Sequence, residues 1–274
     1  MSFFRHVFAG ALAFTLNVVP AFAAERSKIE AFMAVTGFDV ALDSLRLSAG
    51  QAPMMLGLTE DNFGEDWKRL ADEVFASEGL RSDALDILEQ TMDDEMLNHA
   101  AAFYASDLGQ RLVAAENAAH MDDSEESIRE GDEIARQLLE EGSDRIQYFR
   151  AMSTAIGSIE NSLRSVTEVQ VRFLMAAQGA GLTDTEWAAD ELRAVLLSRT
   201  DEMAQAMVIG SITNAAHTYR DFTDEEIKAY LEALEEPLMQ KVYELMNAVQ
   251  FQLQVERFEA LAARMVDLYP QQDI

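Results

Sequence analysis

Apolar positions recur along almost the whole chain at the i, i+3, i+4, i+7 spacing of a helix with one buried face. Runs of strict alternation, which would mark half-buried strands, are missing. The pattern predicts helices over roughly 27–49, ending at Gly50 and Pro53, then 62–77, 82–90, 94–105 and 107–120. The acidic segment 122–126 opens a further helix that reaches the breaker Gly142-Ser143. Residues 144–177 contain no proline and only Gly157, so one long helix is expected there, stopped by Gly179 and Gly181. Helices over 184–198, 200–219, 224–235 and 237–268 complete the chain. Punctuation is sparse, with 4 prolines and 13 glycines in 274 residues. The expected fold class is all-α.

The apolar pattern also repeats at an offset of 130 residues. Residues 92–119 align without gaps on 222–249. Asp94, Glu95, Leu108, Gln110, Asn117 and Ala118 fall on the identical Asp224, Glu225, Leu238, Gln240, Asn247 and Ala248. Upstream, Gly57-Leu58-Thr59-Glu60 echoes Gly181-Leu182-Thr183-Asp184 at a shorter offset. Each copy reads as a helical hairpin. Asp93 and Thr223 stand at the first helix's N-cap, and Glu226 completes a capping box with Thr223. Ser106 takes the next cap position in one copy, and Pro237 suits the first helical position in the other. Leu97, Ala100, Ala101 and Tyr104 form one apolar stripe; Ile227, Tyr230, Leu231 and Leu234 form its counterpart. The chain is therefore expected to hold two related helical halves built on helix-turn-helix hairpins, with one long central helix. The expected divisions are a signal peptide at 1–23, a first half at 24–125, an acidic helical connector at 126–142, and the long helix with the second half at 143–270.

The hairpin motif resembles that of the bacterial domain of unknown function 2059, which runs Phe-Thr-x-x-Glu-Leu and then Phe-Tyr-x-Ser-Pro-x-Gly-x-Lys. The first copy keeps Glu95, Leu97, Phe103, Tyr104, Ser106 and Gly109, with Arg111 in place of the Lys and Asp107 in place of the Pro. The second keeps Phe222, Thr223, Glu226, Ile227, Pro237 and Lys241, with Met239 in place of the Gly. The resemblance covers about 30 residues per copy. It implies an exported α-helical protein and no particular activity.

A stripe in the central segment stands apart. Phe149, Met152, Ile156, Ile159, Leu163 and Val166 are spaced 3, 4, 3, 4, 3, and Gln170 and Phe173 continue the register. This is a heptad seam. It serves either as the buried face of a central helix or as a self-association surface. Phe258, Leu261, Met265 and Leu268 form a second such run and a possible packing partner.

The chain's start sets its expected compartment. Arg5 and His6 precede an apolar run over 7–19, Pro20 breaks it, and Ala21-Phe22-Ala23 has the small-x-small form of a cleavage site. A run this short does not span a bilayer, and no later stretch is apolar enough to do so. A cleaved export signal and a periplasmic location are expected. The net charge is −28 for the whole chain and −29 without residues 1–23, which carry one Arg and no acid. Such a balance disfavours nucleic acid and anionic lipid as partners and favours basic or cationic ones. With no cysteine, thiol chemistry, Fe–S clusters and Cys-zinc sites are excluded.

Candidate chemistry is thin. Three histidines follow the leader, His99, His120 and His217. Glu95 and His99 share a helix face, as do Glu116 and His120, and four such ligands brought together would suit Zn²⁺. The second copy has Glu225 and Ala229, then Met246 and Gln250, so it lacks both histidines; helix-surface roles fit these residues better than a metal site. His217 lies at a predicted helix end, where it would complement the dipole. No hydrolase elbow, metalloprotease, Walker or EF-hand motif is present, and Gly179-Ala180-Gly181 follows a helix where a dinucleotide loop would follow a strand. No catalytic residue and no cofactor is expected. The pattern favours a non-catalytic envelope protein working through protein contacts. The alternative is a periplasmic small-ligand-binding protein or hydrolase whose polar residues converge only in three dimensions.

Overall fold

The computed structural model describes residues 25–268 apart from 123, 158 and 184, so the expected export signal lies outside the described residues. The described chain is helical throughout, with no strand among its described residues. In order, the helices are α1 (Arg26–Thr36), α2 (Phe38–Ser44), α3 (Gln51–Met55), α4 (Glu65–Val74), α5 (Ser77–Thr91), α6 (Asp94–Tyr104), α7 (Asp107–His120), α8 (Glu125–Glu140), α9 (Arg145–Ile156), α10 (Ile159–Gly179), α11 (Ala189–Leu197), α12 (Thr200–Thr218), α13 (Asp224–Leu234) and α14 (Pro237–Met265). A 3-10 stretch, Leu45–Gly50, links α2 to α3. No helix among the described residues is long and apolar enough to cross a membrane.

The cap chemistry read from the sequence is present. Asp93 accepts from the Met96 amide at the start of α6, and Ser106 accepts from the Gly109 amide at the start of α7. Thr223 and Glu226 form the capping box of α13, and Pro237 opens α14. The three polar caps satisfy amides that the helix itself leaves free, and Pro237 removes one such amide. Leu97, Tyr104, Ile227 and Leu234 are buried, each contributing on the order of 1.5–3 kcal/mol.

Two expected helices are instead broken. The segment 27–49 divides at Gly37, whose φ of +73° ends α1 in a left-handed turn. The segment 144–177 divides at Gly157 into α9 and α10. The heptad seam does not survive that break as one surface. Phe149, Met152 and Leu163 are buried, while Ile156 is 36% exposed and Ile159 and Val166 are half-buried. Beyond the break, the buried face of α10 runs through Leu163, Thr167, Val171 and Leu174. Self-association through all six seam residues would need Phe149, Met152 and Leu163, which already lie in the core.

α14 is the axis of the fold. It packs most extensively along α10, where Phe173 meets Phe258 edge-on at 5.9 Å, and it also touches α4, α5, α6, α9 and α13. α1 lies on α5 and α6 and α2 on α5 and α7; α9 lies on α12 and α13 and α10 on α12 and α14. One hydrophobic cluster runs from Ile29 to Met265 through both sets. α8 lies along α12, where Gly131 lets the backbones approach: a Cβ there would sit 2.4 Å from the Thr213 carbonyl oxygen.

Candidate functional site: a tyrosine-ringed carboxylate in an inter-helical cavity

α7 carries Glu116, Asn117 and His120 on its last two turns, and all three line a cavity of about 280 Å³. Thr36, Phe38 and Ala41 of α1 and α2 form one side, and α9, the end of α12, α13 and α14 complete the wall with Phe149, Met152, Asn214, Tyr219, Tyr230, Tyr243 and Met246. The cavity thus lies between helices from both parts of the chain. A more open groove of about 810 Å³ adjoins it and shares Ser153, Ile156, Asn247 and Gln250. The groove's far wall is polar, including Gln240, Glu244 and Gln254 of α14.

Glu116 Oε1 accepts two hydrogen bonds, from the Tyr219 hydroxyl at 2.6 Å and the Tyr230 hydroxyl at 2.7 Å. The Tyr230 hydroxyl also lies 3.1 Å from that of Tyr104 and 3.2 Å from that of Tyr243, and the Tyr104 and Tyr243 hydroxyls are bonded to each other. A phenol has one proton to give, and that of Tyr230 goes to Glu116, so within the Tyr104–Tyr243 pair one hydroxyl donates to the other and the second donates to Tyr230. The protons of the set are therefore oriented toward one carboxylate oxygen. Aromatic packing holds the rings: Phe103 stacks on Tyr230 at 5.8 Å, and Phe149 and Tyr230 lie 6.2 Å and 6.0 Å from Tyr219.

Burial raises the Glu116 pKa above the ordinary carboxylate value, and the two tyrosine bonds oppose that shift. The phenols of Tyr104, Tyr219, Tyr230 and Tyr243 are pushed upward, chiefly by burial with Glu116 adding to it, so they remain donors at neutral pH. Glu116 Oε2 takes no hydrogen bond from the described residues, and the residue lines the cavity. His120 is solvent-exposed on one side; the protein packed on its other side lowers its pKa. No Lys or Arg lines this cavity.

Two asparagines frame the site at the helix breaks. Gly37, at φ +73°, makes the left-handed turn between α1 and α2 that favours glycine, and a Cβ there would lie 2.3 Å from Asn117 Oδ1. At the other break, Asn247 Nδ2 donates to the Ile156 carbonyl at 2.6 Å, closing the end of α9. Asn117 and Asn247 are the residues that the 130-residue offset aligns.

The four candidate metal ligands do not converge: Glu116 and His120 share the cavity, while Glu95 and His99 lie apart from it on α6. Glu95 is exposed on α6, His99 Nε2 lies 3.2 Å from Glu236 Oε2, Glu116 is held by tyrosines, and His120 sits at the cavity rim. No three His, Asp or Glu side chains among the described residues converge as a metal-binding group. His217 lies in the last turn of α12, with Nδ1 3.2 Å from Glu130 Oε2 of α8. Sequence reasoning missed Tyr219, Tyr230 and Tyr243 as site residues. Four of the chain's 6 tyrosines join this cluster, but they come from separate helices with no shared motif.

The hairpin that supplies Tyr104 and Glu116 is also where comparison with known proteins finds a relative. Residues 78–139 match the model of a bacterial family described as "Uncharacterized protein conserved in bacteria (DUF2059)". The matched stretch takes in most of α5, the whole α6–α7 hairpin and nearly all of α8. It therefore contains Tyr104, Gly109, Arg111, Glu116, Asn117 and His120, and stops short of the second hairpin. No curated protein and no solved structure gives a significant match to the chain.

Proposed function

We propose that this chain is a non-catalytic, exported small-ligand-binding protein that holds its ligand in the cavity beside Glu116. The observation that carries this reading is a cavity-lining carboxylate, one oxygen fixed by two tyrosines and Oε2 with no side-chain or backbone donor among the described residues, set among apolar, amide and hydroxyl side chains with His120 at the rim. Small-ligand sites have this composition: an apolar wall with a few placed polar groups, at roughly 300–1,000 Å³. The groove falls within that range and the cavity just below it. Catalysis is not favoured, because Glu116 has no paired carboxylate or nucleophile at hydrogen-bond distance, only phenols that stay protonated. The export assignment rests on the leader-like residues 1–23, and intact-mass analysis of secreted protein should show their loss.

Native mass spectrometry of the full chain purified under mild conditions tests the binding reading, together with thermal scanning against small metabolites. A ligand at 100 times its Kd stabilises the fold by about 2.7 kcal/mol. Stabilisation that disappears in Ser153→Phe, which narrows the opening shared by cavity and groove, supports the proposal. A ligand whose effect is unchanged in that variant binds elsewhere and overturns it.

A second reading, docking to a protein partner, is favoured by Ile128 and Leu139 of α8 and Ile209 of α12, which remain 55%, 60% and 62% exposed on two helices packed side by side. Crosslinking in the intact envelope would reveal such a partner through lysine-poor α8 only with carboxyl-reactive reagents.

A further inference from the structure

We infer that the cavity's ligand is an organic cation, a primary or quaternary ammonium on a short aliphatic body, whose charged head sits against Glu116 Oε2. This rests on the ligand-binding reading above and names the chemistry of that site.

The wall carries one carboxylate and no Lys or Arg, and burial favours the neutral form of His120 at the rim, so a carboxylate or phosphate ligand would meet Glu116 with no standing positive charge to offset the repulsion. A neutral ligand would leave the carboxylate's charge as poorly compensated as before. An ammonium supplies the missing counter-charge and lowers the cost of keeping Glu116 ionised out of bulk water. The tyrosine bonds already satisfy Oε1 and hold the group in one orientation, which leaves Oε2 as the acceptor for a ligand N–H or the neighbour of a methylated ammonium.

The surroundings fit the same head group. Tyr219, Tyr230 and Phe149 form a packed aromatic set along the wall, with Phe149 and Tyr230 each about 6 Å from Tyr219, and aromatic rings grouped around a cation stabilise it through their π faces. Beyond the carboxylate the wall turns apolar at Met152, Ile156, Leu234 and Met246, which suits methylene groups. The exit past Ser153 and Asn247 leads to the groove, where Gln240, Glu244 and Gln254 offer acceptors to a second polar end and Arg164, the groove's one cation, is paired with Glu160. At longer range, a net charge of −28 draws cations to the molecule and repels anions.

Isothermal titration calorimetry on the full chain at neutral pH, with four six-carbon probes of matched shape, tests the assignment: n-hexylamine, hexyltrimethylammonium, hexanoate and 1-hexanol. The two cations are expected to bind, 1-hexanol at least about tenfold more weakly, and hexanoate not at all. Glu116→Gln keeps an acceptor for the two tyrosines, and it should weaken both cations by about tenfold or more while leaving 1-hexanol unchanged. Circular dichroism checks that this variant folds; if it does not, the comparison among the four probes on the natural chain decides alone. Hexanoate or 1-hexanol binding as tightly as the cations, with sensitivity to Ser153→Phe, overturns the cation assignment and leaves the cavity reading standing. Cation binding that survives both Glu116→Gln and Ser153→Phe overturns both. Silence from all four probes overturns the cation assignment, and the metabolite scan then judges the cavity separately.

Discussion

Gly109→Ala isolates the corner that delivers Tyr104 to the site. Gly109 lies in the first turn of α7, where its amide is bonded to the Ser106 cap, and α6 ends at Tyr104 directly against it. A Cβ at this position would sit 2.4 Å from the Phe103 carbonyl oxygen and 2.6 Å from Tyr104 Cα. Both are backbone atoms, so no side-chain rotation relieves the contact and the corner must open by about 1 Å. Overpacking of this kind costs about 1–3 kcal/mol. Replacing glycine by alanine inside a helix returns about 0.5–1 kcal/mol. The clash wins, for a net loss of about 1–2 kcal/mol, or roughly 2–8 °C in Tm for a chain of this size. Gly210→Ala is the internal control. Gly210 lies inside α12 with nothing within 4 Å of its would-be Cβ, so that variant should gain about 0.5–1 kcal/mol. Urea unfolding followed by far-ultraviolet circular dichroism gives both values, and the near-ultraviolet tyrosine signal should change in Gly109→Ala alone. If Gly109→Ala melts at or above the natural chain while Gly210→Ala behaves as expected, the close approach of α6 and α7 is not what holds the corner.

The other expectations concern separate parts of the molecule. Gly131→Ala should loosen α8 from α12, because its Cβ would meet the Thr213 carbonyl oxygen at 2.4 Å; limited proteolysis should then cut within 125–140 sooner than in the natural chain, and equal protection would contradict the close packing. Tyr230→Phe removes one of the two donors to Glu116 Oε1 and should destabilise by about 1.5–3 kcal/mol, while Tyr148→Phe, outside the cluster, should be near neutral in the same urea titration. Glu226 is held at a pKa of about 2, chiefly by its bond from Arg111 and then by the Thr223 amide. A depressed carboxylate adds stability that is present above its ordinary pKa of 4.5 and disappears as pH falls through about 2. Glu226→Gln should therefore flatten the acid side of the stability profile between those values and leave the profile near neutrality parallel; an unchanged acid side would mean the ion pair to Arg111 is absent in solution.

Local devices were readable along the chain, since their partners lie within a turn. Asp93, Ser106 and the Thr223–Glu226 box each bond an amide three residues away, and Gly142 and Gly181 act at their own positions. The breaks at Gly37 and Gly157 were not readable, because an isolated glycine is tolerated within a helix and the groups that use these two come from distant α7 and α14. A period-of-seven pattern running across Gly157 concealed the second break: the stripe continues in sequence, while its members divide between core and half-exposed positions. The site shows the same limit more strongly. Glu116 and His120 were placed on one helix face, and both do line the cavity, but the character of Glu116 comes from Tyr219 and Tyr230, 103 and 114 residues away.

The asparagine clamp at the second helix break has a consequence for which molecules the cavity admits. Asn247 lines it, yet its side-chain amide holds the last carbonyl of α9. Widening the chamber on that side would mean freeing a helix end, at the expense of backbone order and not merely of a side-chain rotation. There the limit on width is written into the main chain. A longer guest extends past Ser153 into the groove, and one too wide at Asn247 has to compete with folding itself.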